Sequence, residues 1–142
     1  MCIGPNEIVF YEMKDGAYRA SDYVAFLQAL MAMFPQVQRG EVCLVMDNAR
    51  IHHAEQSREF LEENHVRHVF LPPYSPDLNP IENVFGVLKA RYRRLGVVQT
   101  NEQMKRRMVD VIAVLNLDMD VQPFYDHMRG FVARALNHES FN

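Results

Sequence analysis

The sequence runs to 142 residues, 49% hydrophobic and 23% charged, with a net charge of −3. That length suits one domain over residues 1–142 with a modest core, and the composition lies well away from the poorly hydrophobic, highly charged chains that stay disordered. Cys2 and Cys43 are too few for a disulfide framework or a metal knuckle, and the longest apolar runs, such as VAFLQALMAMF at 24–34, fall short of the roughly 20 residues a membrane span needs.

The opening MCIGPNEIVFYEMKDG lacks the basic, then apolar, then small-residue order of a secretory signal, which with so few cysteines points to an intracellular protein. Within it, IVFYEM at 8–13 reads as a strand running into a turn. Ser21 then opens a helix with Val24, Leu27, Leu30, Met31 and Phe34 at helical spacing, and Pro35 stops it. VCLVM at 42–46 is apolar at every position, as in a strand buried on both faces of a parallel sheet, and it ends at Asp47. A polar helix over about 54–64, anchored by Ala54, Phe60 and Leu61, leads to a short strand at 69–71, which completes a βαβ unit.

Four prolines, Pro72, Pro73, Pro76 and Pro80, then stiffen the approach to an amphipathic helix. At about 100° per residue, Ile81, Val84, Phe85, Leu88, Tyr92 and Leu95 fall on one side of it, and Glu82, Gly86, Lys89 and Arg93 on another. A further helix from about 101 carries Met104, Met108, Val111, Ile112 and Leu115. The last carries Phe124, Tyr125, Met128, Phe131, Val132, Ala135 and Leu136, and both stripes read as core.

Functional residues of open α/β sheets gather beyond the carboxyl ends of the strands. Asp47 stands at such an end, Asn48, Arg50, His52 and His53 follow in the next turn, and Glu82 closes the loop after the next strand. Two carboxylates with few softer neighbours suit Mg²⁺ or Mn²⁺, and paired ions of this kind support phosphodiester cleavage. Lys89 and Arg93, on the face of Glu82, would meet the phosphates, and Gly86 leaves room for a backbone to approach. Between Gly86 and Met108 seven cations face the single acid Glu102, a local excess of +6 in an acidic chain. Plainer readings stay open. Asn79, Pro80 and Glu82 fit N-cap, N1 and N3 of a capping box, Asp47 and Asn48 fit a simple turn, and the cations fit a solvated helix face.

MDNARIHH at 46–53 and FLPPYSPDLNPIENVFGVLK at 70–89 together resemble the catalytic core of DDE transposases of the mariner and related insertion-sequence superfamily. The likeness runs over nearly the whole chain and is most specific between about 41 and 94. It implies an α/β, ribonuclease-H-like core with additional C-terminal helices, in which three acids hold two divalent ions, Mg²⁺ or Mn²⁺. Such a core cuts DNA at transposon ends and joins it to a target. Asp47 would be the second acid and Glu82 the third, both catalytic and metal-binding, with Asn48, His52, Lys89, Arg93 and Arg94 contacting nucleic acid.

The resemblance further implies that the first acid, the first strand and most of the second precede Met1, with DNA-binding helices before them. Glu7, Glu12, Asp15 and Asp22 are the early acids present, and none stands in the matching context. Two functional classes follow. One is part of a transposase, acting on DNA with the rest of the protein. The other is a non-catalytic nucleic-acid-binding remnant, or one that contacts intact transposase or its own copies, and a poorly folding fragment is the bland third. A nuclear location is expected in a eukaryote and the cytoplasm or nucleoid in a bacterium.

Overall fold

The computed structural model describes residues 1–73 and 75–136, apart from the side chain of Ala135. In chain order its elements are β1 (Cys2–Ile3), β2 (Ile8–Phe10), α1 (Ala20–Met33), α2 (Pro35–Gln38), β3 (Leu44–Met46), α3 (Glu55–Glu63), β4 (His68–Phe70), a 3₁₀ turn (Pro76–Leu78), α4 (Pro80–Arg94), α5 (Asn101–Asp118) and α6 (Gln122–Leu136). This is a mixed α/β architecture with two small sheets, β1 antiparallel to β2 and β3 parallel to β4. The chain forms two compact units, Lys14–Ser75 and Met1–Met13 with Pro76–Asn142.

In the unit Lys14–Ser75, α1 begins where the Asp22 carboxylate turns back to accept the Arg19 N–H at 2.7 Å, satisfying one of the donors that every helix start leaves free. The Lys14 ammonium, 2.5 Å away, and the Arg19 N–H hold that carboxyl below its ordinary range. The buried stripe is Tyr23, Phe26, Leu27, Leu30 and Met31. It is rotated slightly from the spacing-based expectation, leaving Val24 and Phe34 half-buried. A specific bond explains the rotation: the Tyr23 hydroxyl donates to Met46 Sδ at 2.6 Å. Pro35 does more than end α1, because its fixed φ also starts α2.

The parallel pair is in the register Leu44↔His68, Val45↔Val69 and Met46↔Phe70, with α3 as the crossover. Strand β3 is shorter than the apolar run 42–46, and it is not covered on both faces. Met46 is buried, whereas the cross-strand partners Val45 and Val69 are 55% and 53% exposed. Helix α3 packs through Leu61 and, unexpectedly, through Ser57, which is fully buried because its hydroxyl donates to the Ile51 carbonyl at 2.6 Å.

The other unit is built around Ile8, Val84, Leu88, Val111, Ile112, Leu115 and Val121. Helix α4 starts on Pro80 at its first position, and α5 on Thr100, whose hydroxyl accepts the Gln103 N–H at 3.2 Å. Of the stripe expected on α6, Phe124, Tyr125, Met128 and Phe131 are half-buried and Val132 and Leu136 exposed, while the side chain of Ala135 lies outside the described residues. Met104 of α5 is exposed as well.

Besides this packing, a side chain of α5 pairs with the backbone of strand β2. Asn116 accepts the Ile8 N–H and donates to the Ile8 carbonyl, both at 3.0 Å, and so pairs with both backbone groups as a neighbouring strand would. Asn116→Ala strips partners from two backbone groups of a buried residue, and chemical denaturation is expected to record a loss of about 1–3 kcal/mol. An unchanged denaturation midpoint would mean the bracket contributes nothing.

Candidate active site

The parallel ladder ends in a defined way. Leu71 N–H still donates to the Met46 carbonyl at 2.7 Å. In this register the following rung would run from the residue-48 N–H to the Leu71 carbonyl. The chain instead leaves the strand at Asp47, and the side-chain amide of Asn48 donates to the Leu71 carbonyl in place of its backbone. One Asp47 oxygen, Oδ1, accepts the Ala49 N–H at 3.0 Å, closing a tight turn.

Both histidines of the loop face back into it. His52 Nδ1 lies 3.0 Å from Asp47 Oδ1 and 3.1 Å from the Asp47 carbonyl, and its ring packs on Tyr23 with centroids 4.5 Å apart. His53 Nε2 lies 2.8 Å from Asn48 Oδ1, and its ring stacks on Phe70 at 4.2 Å. Asn48 and His52, expected to touch nucleic acid, thus use polar atoms to build the tip. Asp47 itself stays half-exposed, and no hydrogen bond reaches its second oxygen among the described residues. The turn and the open carboxylate oxygen coexist, so the plainer reading of Asp47 and the ligand reading are compatible.

Glu82 stands in the first turn of α4. Its N–H donates to the Asn79 carbonyl at 3.0 Å, but Asn79 makes no side-chain cap and the Glu82 carboxylate has no partner among the described residues. The capping box that the sequence permits is therefore not formed. Glu82, Gly86, Lys89 and Arg93 are all exposed, opposite the buried Val84 and Leu88. A Cβ on Gly86 would meet nothing within 4 Å, so the unit's own packing has no use for a glycine there.

The basic cluster divides into two kinds of cation. Arg91 pairs with Asp118 at 3.0 Å, Arg106 with Glu102 at 2.5 Å, and Arg107 donates to the Gly96 carbonyl at 2.6 Å while lying over the Tyr92 ring. Lys105 is engaged as well. Lys89, Arg93 and Arg94 are exposed and have no partner among the described residues. The sequence reveals the cluster but not this division, because the partners of Arg91 and Arg107 lie 27 and 11 residues away.

No group of three or more His, Cys, Asp or Glu side chains able to hold a metal ion occurs among the described residues. Of the two expected ligands, the second oxygen of Asp47 and the carboxylate of Glu82 have no partner among the described residues, each within its own compact unit. They are exposed hard-oxygen ligands, chemically suited to Mg²⁺ or Mn²⁺ rather than to softer metals. No helix among the described residues is long and apolar enough to cross a membrane.

The model of the DDE superfamily endonuclease family matches residues 1–105, a span that takes in the Asp47 tip, Glu82 and all of α4. The chain is also similar to the Transposable element Tc3 transposase of Caenorhabditis elegans, with 28% identity over 106 residues that cover 73% of this chain. The chain spans only 31% of that relative's length. With the family's pattern running through most of its length, the chain belongs to the DDE superfamily endonucleases.

Proposed function

We propose that the chain forms part of the catalytic core of a DDE transposase, of ribonuclease-H-like fold, which cleaves and joins DNA with the rest of its protein. The observation that carries this reading is the face of α4. A carboxylate with no capping role shares an exposed surface with cations that lack partners among the described residues and with a glycine that the fold does not need. The family match and the likeness to a transposase support it.

In this reading Asp47, through its open oxygen, and Glu82, within its own unit, would each offer a hard-oxygen ligand to Mg²⁺ or Mn²⁺. When bound, such ions stabilise the charge that develops on the attacking and leaving oxygens of a phosphodiester. The protein's share is to fix the ligands beforehand. The Ala49 N–H and His52 hold one oxygen of Asp47 and leave the other open. Pro80 fixes the start of the helix that presents Glu82. Lys89, Arg93 and Arg94 neutralise phosphates of the bound DNA, and Asn48 and His52 shape the tip that carries Asp47.

Duplex binding followed by fluorescence anisotropy across a salt series tests the cationic part. Replacing Lys89, Arg93 and Arg94 by Ala is expected to flatten the plot of log affinity against log salt by about 0.9 for each phosphate no longer neutralised, whereas Arg91→Ala and Arg106→Ala leave the slope unchanged. An unchanged slope in the triple variant would remove α4 from the DNA interface.

Gly86→Ala separates function from stability. The substitution is expected to raise stability by about 0.5–1 kcal/mol, since glycine is costly within a helix, and at the same time to weaken duplex binding several-fold. Equal binding by the variant would mean that nothing approaches the helix there.

A further inference from the structure

We propose that His53 is a positioning residue, which fixes the amide of Asn48 as the last rung between β3 and β4 and so holds the strand tip that carries Asp47. The consequence for metal binding rests on the reading of Asp47 given above.

Hydrogen-bond chemistry fixes the orientation of the Asn48 amide. The Leu71 carbonyl can only accept, so it must face the amide NH₂, and Asn48 Oδ1 is left to face His53. His53 Nε2 therefore carries a proton and donates it, over 2.8 Å. A reversed amide would set an oxygen against the Leu71 carbonyl, which excludes that orientation. The Nε2–H imidazole then anchors the amide by its oxygen, and its packing on Phe70, the last residue of β4, keeps the ring in place.

The two neighbouring histidines divide the work. His52 contacts Asp47 directly, and His53 acts one residue further on, through Asn48. Without the rung, Leu71 N–H to Met46 would be the last bond of the ladder, and Asp47 would begin a loop free to turn away from β4. A ligand held by such outer partners typically loses about 10–100-fold in metal affinity when they are removed.

Two substitutions on the full chain separate donor from ring. His53→Phe keeps the stacking on Phe70 and removes the donor, while His53→Gln keeps a donor near the position of Nε2 and removes the ring. Nuclear magnetic resonance of the Asn48 side-chain amide, with the tautomer of His53 read from its ring nitrogens at mildly alkaline pH, reports the contact directly. The expected result is the Nε2–H tautomer and a slowly exchanging Asn48 amide in the parent chain and in His53→Gln, and a fast-exchanging amide in His53→Phe. Mn²⁺ affinity is expected to fall roughly tenfold in His53→Phe and to be largely kept in His53→Gln.

An Nδ1–H tautomer, or an Asn48 amide indifferent to both substitutions, would overturn the assignment whatever the metal does. If the amide responds as expected but Mn²⁺ binding does not depend on Asp47, the positioning role of His53 stands and the metal-ligand reading of Asp47 falls.

Discussion

How the parallel ladder stops decides what Asp47 can do. Backbone N–H and C=O groups at the end of a strand must find partners or water, and here the side chains of consecutive residues supply them. Asp47 takes up the Ala49 N–H, and Asn48 supplies the donor that its own backbone withdraws from Leu71. Because each oxygen of a carboxylate can accept separately, the turn occupies one and leaves the other open. A turn built from backbone alone would leave the direction of that side chain unset. His52, His53, Tyr23 and Phe70 brace the arrangement from the sides, and all lie in the same compact unit.

Helix α4 departs from what stability alone would select. A capping box at its start would contribute about 1 kcal/mol, and an alanine at position 86 would help by a similar amount. Neither is used: the Glu82 carboxylate has no partner among the described residues, and residue 86 is glycine in open space. Of the surrounding cations, Arg91, Arg106 and Arg107 serve the fold through Asp118, Glu102 and the Gly96 carbonyl, while Lys89, Arg93 and Arg94 do not. Local departures from stability of this kind concentrate at functional surfaces, and the face shared by Glu82, Gly86, Lys89 and Arg93 gives them a common purpose in the DNA-contacting reading.

What can be read from the sequence follows the range of the interaction involved. The helices α4 and α5 are legible, since Pro80 and the 3.6-residue apolar period act within a turn or two. The phase of α1 comes out slightly off, because a bond from Tyr23 to Met46 turns an aromatic residue inward. The run 42–46 suggests burial on both faces because apolar composition alone cannot report which neighbours are present, and Val45 with its partner Val69 is open on one side. Ser57 looks like an ordinary polar residue until its hydroxyl finds the Ile51 carbonyl, and the bracket from Asn116 to Ile8 spans 108 residues, beyond any local pattern. Asp47 and Glu82 stand out by position and family likeness. Which of their oxygens remain free depends on hydrogen bonds that only the folded chain reveals.

Whether Asp47 and Glu82 are ligands of a divalent ion is tested most directly by paramagnetic line broadening with substoichiometric Mn²⁺, read residue by residue on the full chain. If they are, the backbone amides around Asp47–Ala49 and Ile81–Asn83 broaden selectively, Asp47→Asn reduces the effect around the first segment and Glu82→Gln reduces it around the second. Broadening centred on other acids, such as Glu62 and Glu63 at the end of α3, and indifferent to both substitutions, would contradict the ligand assignment.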